Sequence, residues 1–102
     1  MRLNVVGRNI EVTDAIRLHA ETKASKLTRF LDTILEINVT IWREDHHTTP
    51  TFQAELVVDV EHHEDFVFHS TGQDLYKIID DVVHKGQRHL SDFKARVKED
   101  KR

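Results

Sequence analysis

The chain contains no cysteine, one proline and three glycines in 102 residues. Without cysteine there is no disulfide framework, no thiolate metal site and no cysteine nucleophile. So few glycines and prolines leave little room for linkers or for a glycine-rich loop that cradles phosphates. No apolar run is long enough for a membrane-spanning helix, and Met1-Arg2-Leu3-Asn4 does not open a signal peptide. Internal repeats and low-complexity tracts are absent too. What is present is a chain with 38% hydrophobic and 32% charged residues. That balance suits a globular, cytoplasmic protein, and the length suits one domain over residues 1–102 rather than two independent cores.

The net charge of −3 conceals a segregation. From Asp32 to Gln73 the single basic residue Arg43 stands against nine acids, a local balance of −8, whereas the remainder carries fourteen basic against nine acidic residues, +5. A polyanion responds to the nearest surface more than to the total, because charges beyond a Debye length of about 8 Å are largely screened at physiological salt. A nucleic-acid partner is therefore compatible with a net acidic chain.

The strongest periodicity lies in the last third, Gly72 to Lys98. Leu75, Ile78, Ile79, Val82, Val83, Leu90, Phe93 and Val97 follow the rhythm of an amphipathic helix. Its other side holds Lys77, His84, Lys85, Arg88, Lys94 and Arg96. Nearer the start, Leu3 and Val5 alternate with Arg2 and Asn4 as a short strand that Gly7 is expected to break. Thr13 then caps a helix with Asp14 in its first turn. Ile16, Ala20, Ala24, Leu27, Phe30 and Leu31 stay on one face of this helix, and Lys23, Lys26 and Arg29 step along its flank.

Between the helices the period becomes two. Leu35, Ile37, Val39 and Ile41 alternate with Glu36, Asn38, Thr40 and Trp42, predicting a strand over 34–42 with one covered face. A polar loop is expected over Arg43–Thr51. Phe52, Ala54, Leu56, Val58 and Val60 then form the apolar face of a second strand, and a third runs over Phe66–Ser70. The fold class that follows is α+β: a β-α-β-β-β-α two-layer sandwich, with both helices on one face of a four-stranded sheet. The acidic segment would then line the uncovered sheet face and its loops, and the basic residues of both helices would share the opposite surface.

Lys23, Lys26 and Arg29 on one helix and Lys85, Arg88 and Lys94 on the other are thus the candidate phosphate-binding residues. The competing reading is that each helix simply presents a solvated cationic face. Paired aromatic platforms of the kind that grip single strands are missing, so contact with the shape and phosphates of folded RNA fits better. The eight histidines include the pairs His46-His47 and His62-His63, with His69 in the last strand. Neighbours in extended chain point to opposite sides, and His84 and His89 are five apart on a helix, so no metal site is expected. No nucleophile motif or zinc signature supports catalysis, and neither a cofactor nor a small-molecule substrate is expected. Asp80 and Asp81 are expected to pair with Lys77, His84 and Lys85 one turn away. Trp42 is the one aromatic with a contact role open to it, beside the commoner role of covering a sheet edge.

The opening NVVGRNIEVTDAIRLHAETKASKLTRF, followed by GQDLYKIIDDVVHKGQRHL, resembles the ribosome hibernation-promoting factor family, also called ribosome-associated inhibitors. The similarity covers nearly the whole chain and the order of elements agrees. It implies a double-stranded-RNA-binding-like sandwich that is monomeric when free. It further implies a non-enzymatic regulator that occupies the messenger and transfer RNA channel of the small ribosomal subunit, inhibits translation under stress, and promotes ribosome dimerisation. The family's contacts to ribosomal RNA would fall on Lys23, Lys26, Arg29, Lys85 and Arg88. Two residues depart from the family pattern. Asp92 stands where relatives often carry a base, and there it would pair with Arg88 or repel phosphates. Gly86 replaces a usual helix former at a cost of about 0.5–1 kcal/mol relative to alanine. The chain's end at Arg102 is expected to mark the short form of the family. A stand-alone double-stranded-RNA module and a protein-interaction domain using the acidic sheet face are the alternatives.

Overall fold

A computed structural model describes residues 1–45 and 49–100. The order of elements is β1 (Arg2–Arg8), α1 (Asp14–Ser25), a 3-10 turn (Lys26–Arg29), β2 (Ile34–Glu44), β3 (Thr51–Val60), β4 (Phe66–Gly72) and α2 (Leu75–Asp100). The four strands form one sheet in the order β1-β2-β3-β4, with β1 parallel to β2 and the other pairs antiparallel. A parallel pair needs a crossover, and α1 supplies it.

The register explains why one face is apolar. Val5, Val39, Leu56 and Phe68 lie opposite one another across all four strands, as do Leu3, Ile37, Val58 and Phe66. Both rows lie beneath the helices and join one core cluster with Ala20, Ala24 and Leu27 from the first helical segment and Ile78, Ile79, Val82 and Leu90 from α2. The other face carries Asn4, Glu36, Asn38, Thr40, Glu55, Val57, Asp59, Val67 and His69, the alternate positions of the same strands.

Local chemistry sets the helix starts. Thr13 Oγ1 accepts from the Ile16 N–H at 3.2 Å, as expected of a cap. Asp74 plays the same part for α2, accepting from the Lys77 N–H at 3.3 Å. The long helix therefore begins at Leu75 and not at Gly72, which is the last residue of β4.

Four other expectations are corrected. Gly7 does not end β1, which continues to Arg8; the chain turns at Asn9, whose φ is 56°. A Cβ at position 7 would lie 2.5 Å from the Ile10 carbonyl oxygen, so glycine is needed there for the returning backbone and not as a breaker. The first helix does not run evenly to Leu31 but tightens into the 3-10 turn after Ser25, with Leu27 still buried. Leu35 is 50% exposed, because an irregularity between Ile34 and Glu36 inserts a residue and hands its place in the core to Ile34. Finally, β2 and β3 extend to Glu44 and from Thr51, which shortens the expected loop. His46 and His47 lie outside the described residues.

Gly86 is buried in α2 directly over the sheet, where a Cβ would come within 2.8 Å of Leu56 Cδ2. Leu56 is itself fully buried and cannot swing away. The helix-propensity cost of this glycine, about 1 kcal/mol, is thus offset by close helix–sheet packing. Overpacking a tight core typically costs about 1–3 kcal/mol. Gly86→Ala is therefore expected to lower the melting temperature despite alanine's higher helix propensity, as read by thermal circular dichroism.

Candidate nucleic-acid interface

All six candidate cations belong to the helical layer, but the structure distributes them among separate features. Lys23 and Lys26 line a groove of about 370 Å³ between the first helical segment and α2, together with Asp80, Asp81, Val83, His84 and Gln87. Lys85 and Arg88 line a cleft of about 350 Å³ on the opposite flank of α2, against β4, with Phe68, His84, His89 and Asp92. His84 borders both and marks the crest between them. Arg29 is exposed at the end of the 3-10 turn. Lys94 stands apart, beside an apolar recess formed near the far end of α2 by Leu31, Val60, Phe93 and Val97. The expected single patch is therefore two cationic flanks along a common ridge, with Lys94 beyond them.

Small residues on the first helix let it lie close to its neighbours: Ala20 and Ala24 are completely buried. This closeness determines the fate of Asp80. It does not pair within its own helix as expected. His19 Nε2 lies 2.7 Å from its Oδ1, and Lys23 Nζ lies 3.9 Å from the same oxygen. The physical reason is angular, since Asp80 follows the buried Ile79 by about 100° and so faces the neighbouring helix. His19 also meets Tyr76 edge-on at 5.0 Å. Asp80 thus ties the two helices together and offsets part of the positive charge in the groove.

On the other flank, Lys85 Nζ donates to the His69 carbonyl oxygen of β4 at 2.6 Å. This fixes a flexible side chain beside the edge strand. An ammonium has three donors, so two remain available to an incoming acceptor. Arg88 is exposed. Asp92, one turn beyond it, forms no ion pair with any described residue, so of the two expected arrangements the structure does not show the pairing with Arg88. His89 stands edge-on to Phe66 and Phe68 at 5.2 and 5.7 Å, giving the cleft an aromatic wall.

The open sheet face is different in kind. Arg2 pairs with Glu36 at 3.1 Å, and Asn4 donates to Glu36 and Asn38 at 2.9 Å each. Glu55 meets His69 at 2.9 Å. Trp42 is covered by the Arg8 guanidinium at 4.5 Å and donates to Glu44 at 3.2 Å, so it is engaged within the sheet. His62 and His63 occupy the β3–β4 turn, where His63 stacks on Phe66 at 4.4 Å.

His19, Asp80, Phe68 and His89 are the members of these sites that sequence reasoning missed. All four act through contacts far apart in the chain. Only the angular position of Asp80 beside Ile79 carried a local signal.

Residues 3–98 match the family described as Sigma 54 modulation protein / S30EA ribosomal protein. The chain belongs to this family. The ribosome hibernation promoting factor of Escherichia coli K12 is 34% identical over 100 residues, covering 97% of this chain and 99% of that protein. The ribosome hibernation promoting factor of Azotobacter vinelandii is 31% identical, covering 94% and 85%. Among solved structures, the N-terminal domain of Thermus thermophilus Protein Y superposes with a TM-score of 0.78 at 30% identity, covering 91% of this chain and 99% of that one. A ribosomal subunit interface protein from Coxiella burnetii shares the fold with a TM-score of 0.76 at 22% identity, covering 93% and 99%. The α+β sandwich is thus the architecture of the family, and the two flanks of α2 are features of this member of it.

The His19–Asp80 contact joins two partly exposed side chains, for which pair energies of about 0.2–1 kcal/mol are typical. A double-mutant cycle with His19→Ala and Asp80→Ala in urea unfolding should return a coupling in that range. A coupling indistinguishable from zero would mean that Asp80 is not a helix–helix tie.

Proposed function

We infer that this protein is a ribosome hibernation factor that binds the small ribosomal subunit through its helical layer, in the messenger and transfer RNA channel, and inhibits translation without catalysing a reaction. The observation that carries this reading is the full-length relationship to ribosome hibernation promoting factors, combined with two cationic flanks along one exposed helix ridge. Lys23, Lys26, Arg29, Lys85 and Arg88 would contact RNA phosphates, with Lys94 extending the contact toward the end of α2. Such a surface positions a protein on folded RNA by charge and shape and reads little sequence. A cytoplasmic site of action and a monomeric free state accord with this role.

The acidic sheet face is the weaker candidate for binding. Glu36, Glu44 and Glu55 are already held by Arg2 and Asn4, by Trp42, and by His69. A partner would have to displace those contacts before gaining its own.

Lys85→Glu combined with Arg88→Glu should weaken co-sedimentation with small subunits by more than about tenfold, or 1.4 kcal/mol, while the circular dichroism spectrum stays unchanged. For the unaltered protein, affinity should fall steeply with salt, and each lost phosphate contact should flatten the logarithmic slope by about 1. Flat salt dependence would contradict a phosphate-dominated interface. Tight binding to plain duplex RNA without preference for ribosomes would favour a general double-stranded-RNA module. Sucrose gradients of the same mixtures report ribosome pairing, which the reading expects; silenced single ribosomes alone would remove that part of it.

A further inference from the structure

The cleft between α2 and the edge strand β4 contains an acid that a simple phosphate-binding surface would not use. Asp92 is exposed beside Lys85 and Arg88, and among the described residues it pairs with neither. An ordinary solvated arrangement would let Arg88 and Asp92, four residues apart, meet on the helix surface. Here the carboxylate instead lines a concavity whose remaining wall is aromatic.

We propose that this cleft receives one unstacked nucleotide of the bound RNA, its phosphate on Lys85 and Arg88, its base against His89 and Phe68, and its donor edge on Asp92. The proposal rests on the reading of the protein as a binder of ribosomal RNA. Three observations carry it. Lys85 is held at the lip of the cleft by the His69 carbonyl, so a cation is already in place for a phosphate before RNA arrives. The half-buried Phe68 lies on the outermost strand, and His89 stands edge-on to it at 5.7 Å. Bases splayed out of folded RNA stack on such aromatic side chains and are read on their Watson–Crick edges. Lys85 and Asp92 are separated by about 10 Å along the helix at roughly 1.5 Å per residue, the reach from a phosphate across its ribose to the far edge of a base.

The acid also selects the base. An ionised carboxylate only accepts hydrogen bonds. Guanine presents two adjacent donors, N1–H and the N2 amino group, which match the two carboxylate oxygens. Adenine and cytosine present one amino group beside an acceptor that would face the carboxylate, and uracil presents one N–H between two carbonyls. The ligand is therefore an unpaired guanine.

The test uses intact ribosomes and a dicarbonyl reagent that closes a ring across guanine N1 and N2. The unaltered protein should protect one unpaired guanine. Asp92→Asn, which keeps the shape but replaces one acceptor oxygen with a donor, should lose that protection and about tenfold in affinity, the scale of one bidentate base contact. Its salt slope should be unchanged, because no phosphate contact is lost. Asp92→Lys should also lose the protection. Tighter binding by Asp92→Lys with a steeper salt slope, or the same footprint with Asp92→Asn, would overturn the proposal and make Asp92 a repulsive neighbour of phosphates, while leaving the functional reading intact. Failure of the unaltered protein to bind ribosomes would overturn both.

Discussion

The apolar face of the sheet has to be covered, and only two helices are available to cover it. Every other feature depends on that burial. Rows such as Val5, Val39, Leu56 and Phe68 place a continuous hydrophobic surface across four strands, and burying apolar area at about 25 cal/mol per Å² is the main driving force available to so small a domain. The helices can approach closely because they present small residues at the contacts. Ala20 and Ala24 are fully buried in the first helix, and Gly86 sits over Leu56 in the second. Once both apolar stripes face inward, the lysines and arginines have only the outer side left. The cationic ridge is thus a consequence of core packing as much as of charge placement.

That ridge is moderated by acids. Asp80 sits between His19 and Lys23 on one flank, and Asp92 lies with Lys85 and Arg88 on the other. A surface built only to collect phosphates would gain from removing both. Their presence gives each flank a different character: one carboxylate is engaged in holding two helices together, while the other stands in a cleft where it can accept hydrogen bonds. The open sheet face, by contrast, satisfies most of its carboxylates internally. Charge segregation along the chain therefore becomes an electrostatic asymmetry between the two faces of the sandwich.

Much of this was legible in the residues. Period-two alternation in β2 and β3, the Thr13 cap and the apolar rhythm of α2 each report a local backbone preference, and each led to the right element. The departures arise where the deciding contact is not local. A period of two cannot register the extra residue at Leu35, so the bulge was invisible and the wrong neighbour was assigned to the core. Gly7 looks like a breaker in sequence, yet its role is to make room for the Ile10 carbonyl. Gly86 looks like a flaw in a helix until Leu56, thirty residues earlier, is placed beneath it. The six candidate cations were correctly assigned to the helical layer, but their division between two flanks follows from where α1 and β4 border α2, which no helical periodicity contains.

The central claim is that the helical ridge faces the ribosome and the open sheet does not. The absence of cysteine allows a direct measurement of it, because a single introduced thiol is the only one in the chain. His84→Cys places it on the crest of α2, and Val67→Cys places it on the exposed sheet face, where Val67 is 50% accessible. Alkylation rates of the two variants, free and bound to small subunits, should show strong protection at position 84 and little change at position 67. Protection at position 67 with an unchanged rate at position 84 would contradict the account and assign the interface to the sheet.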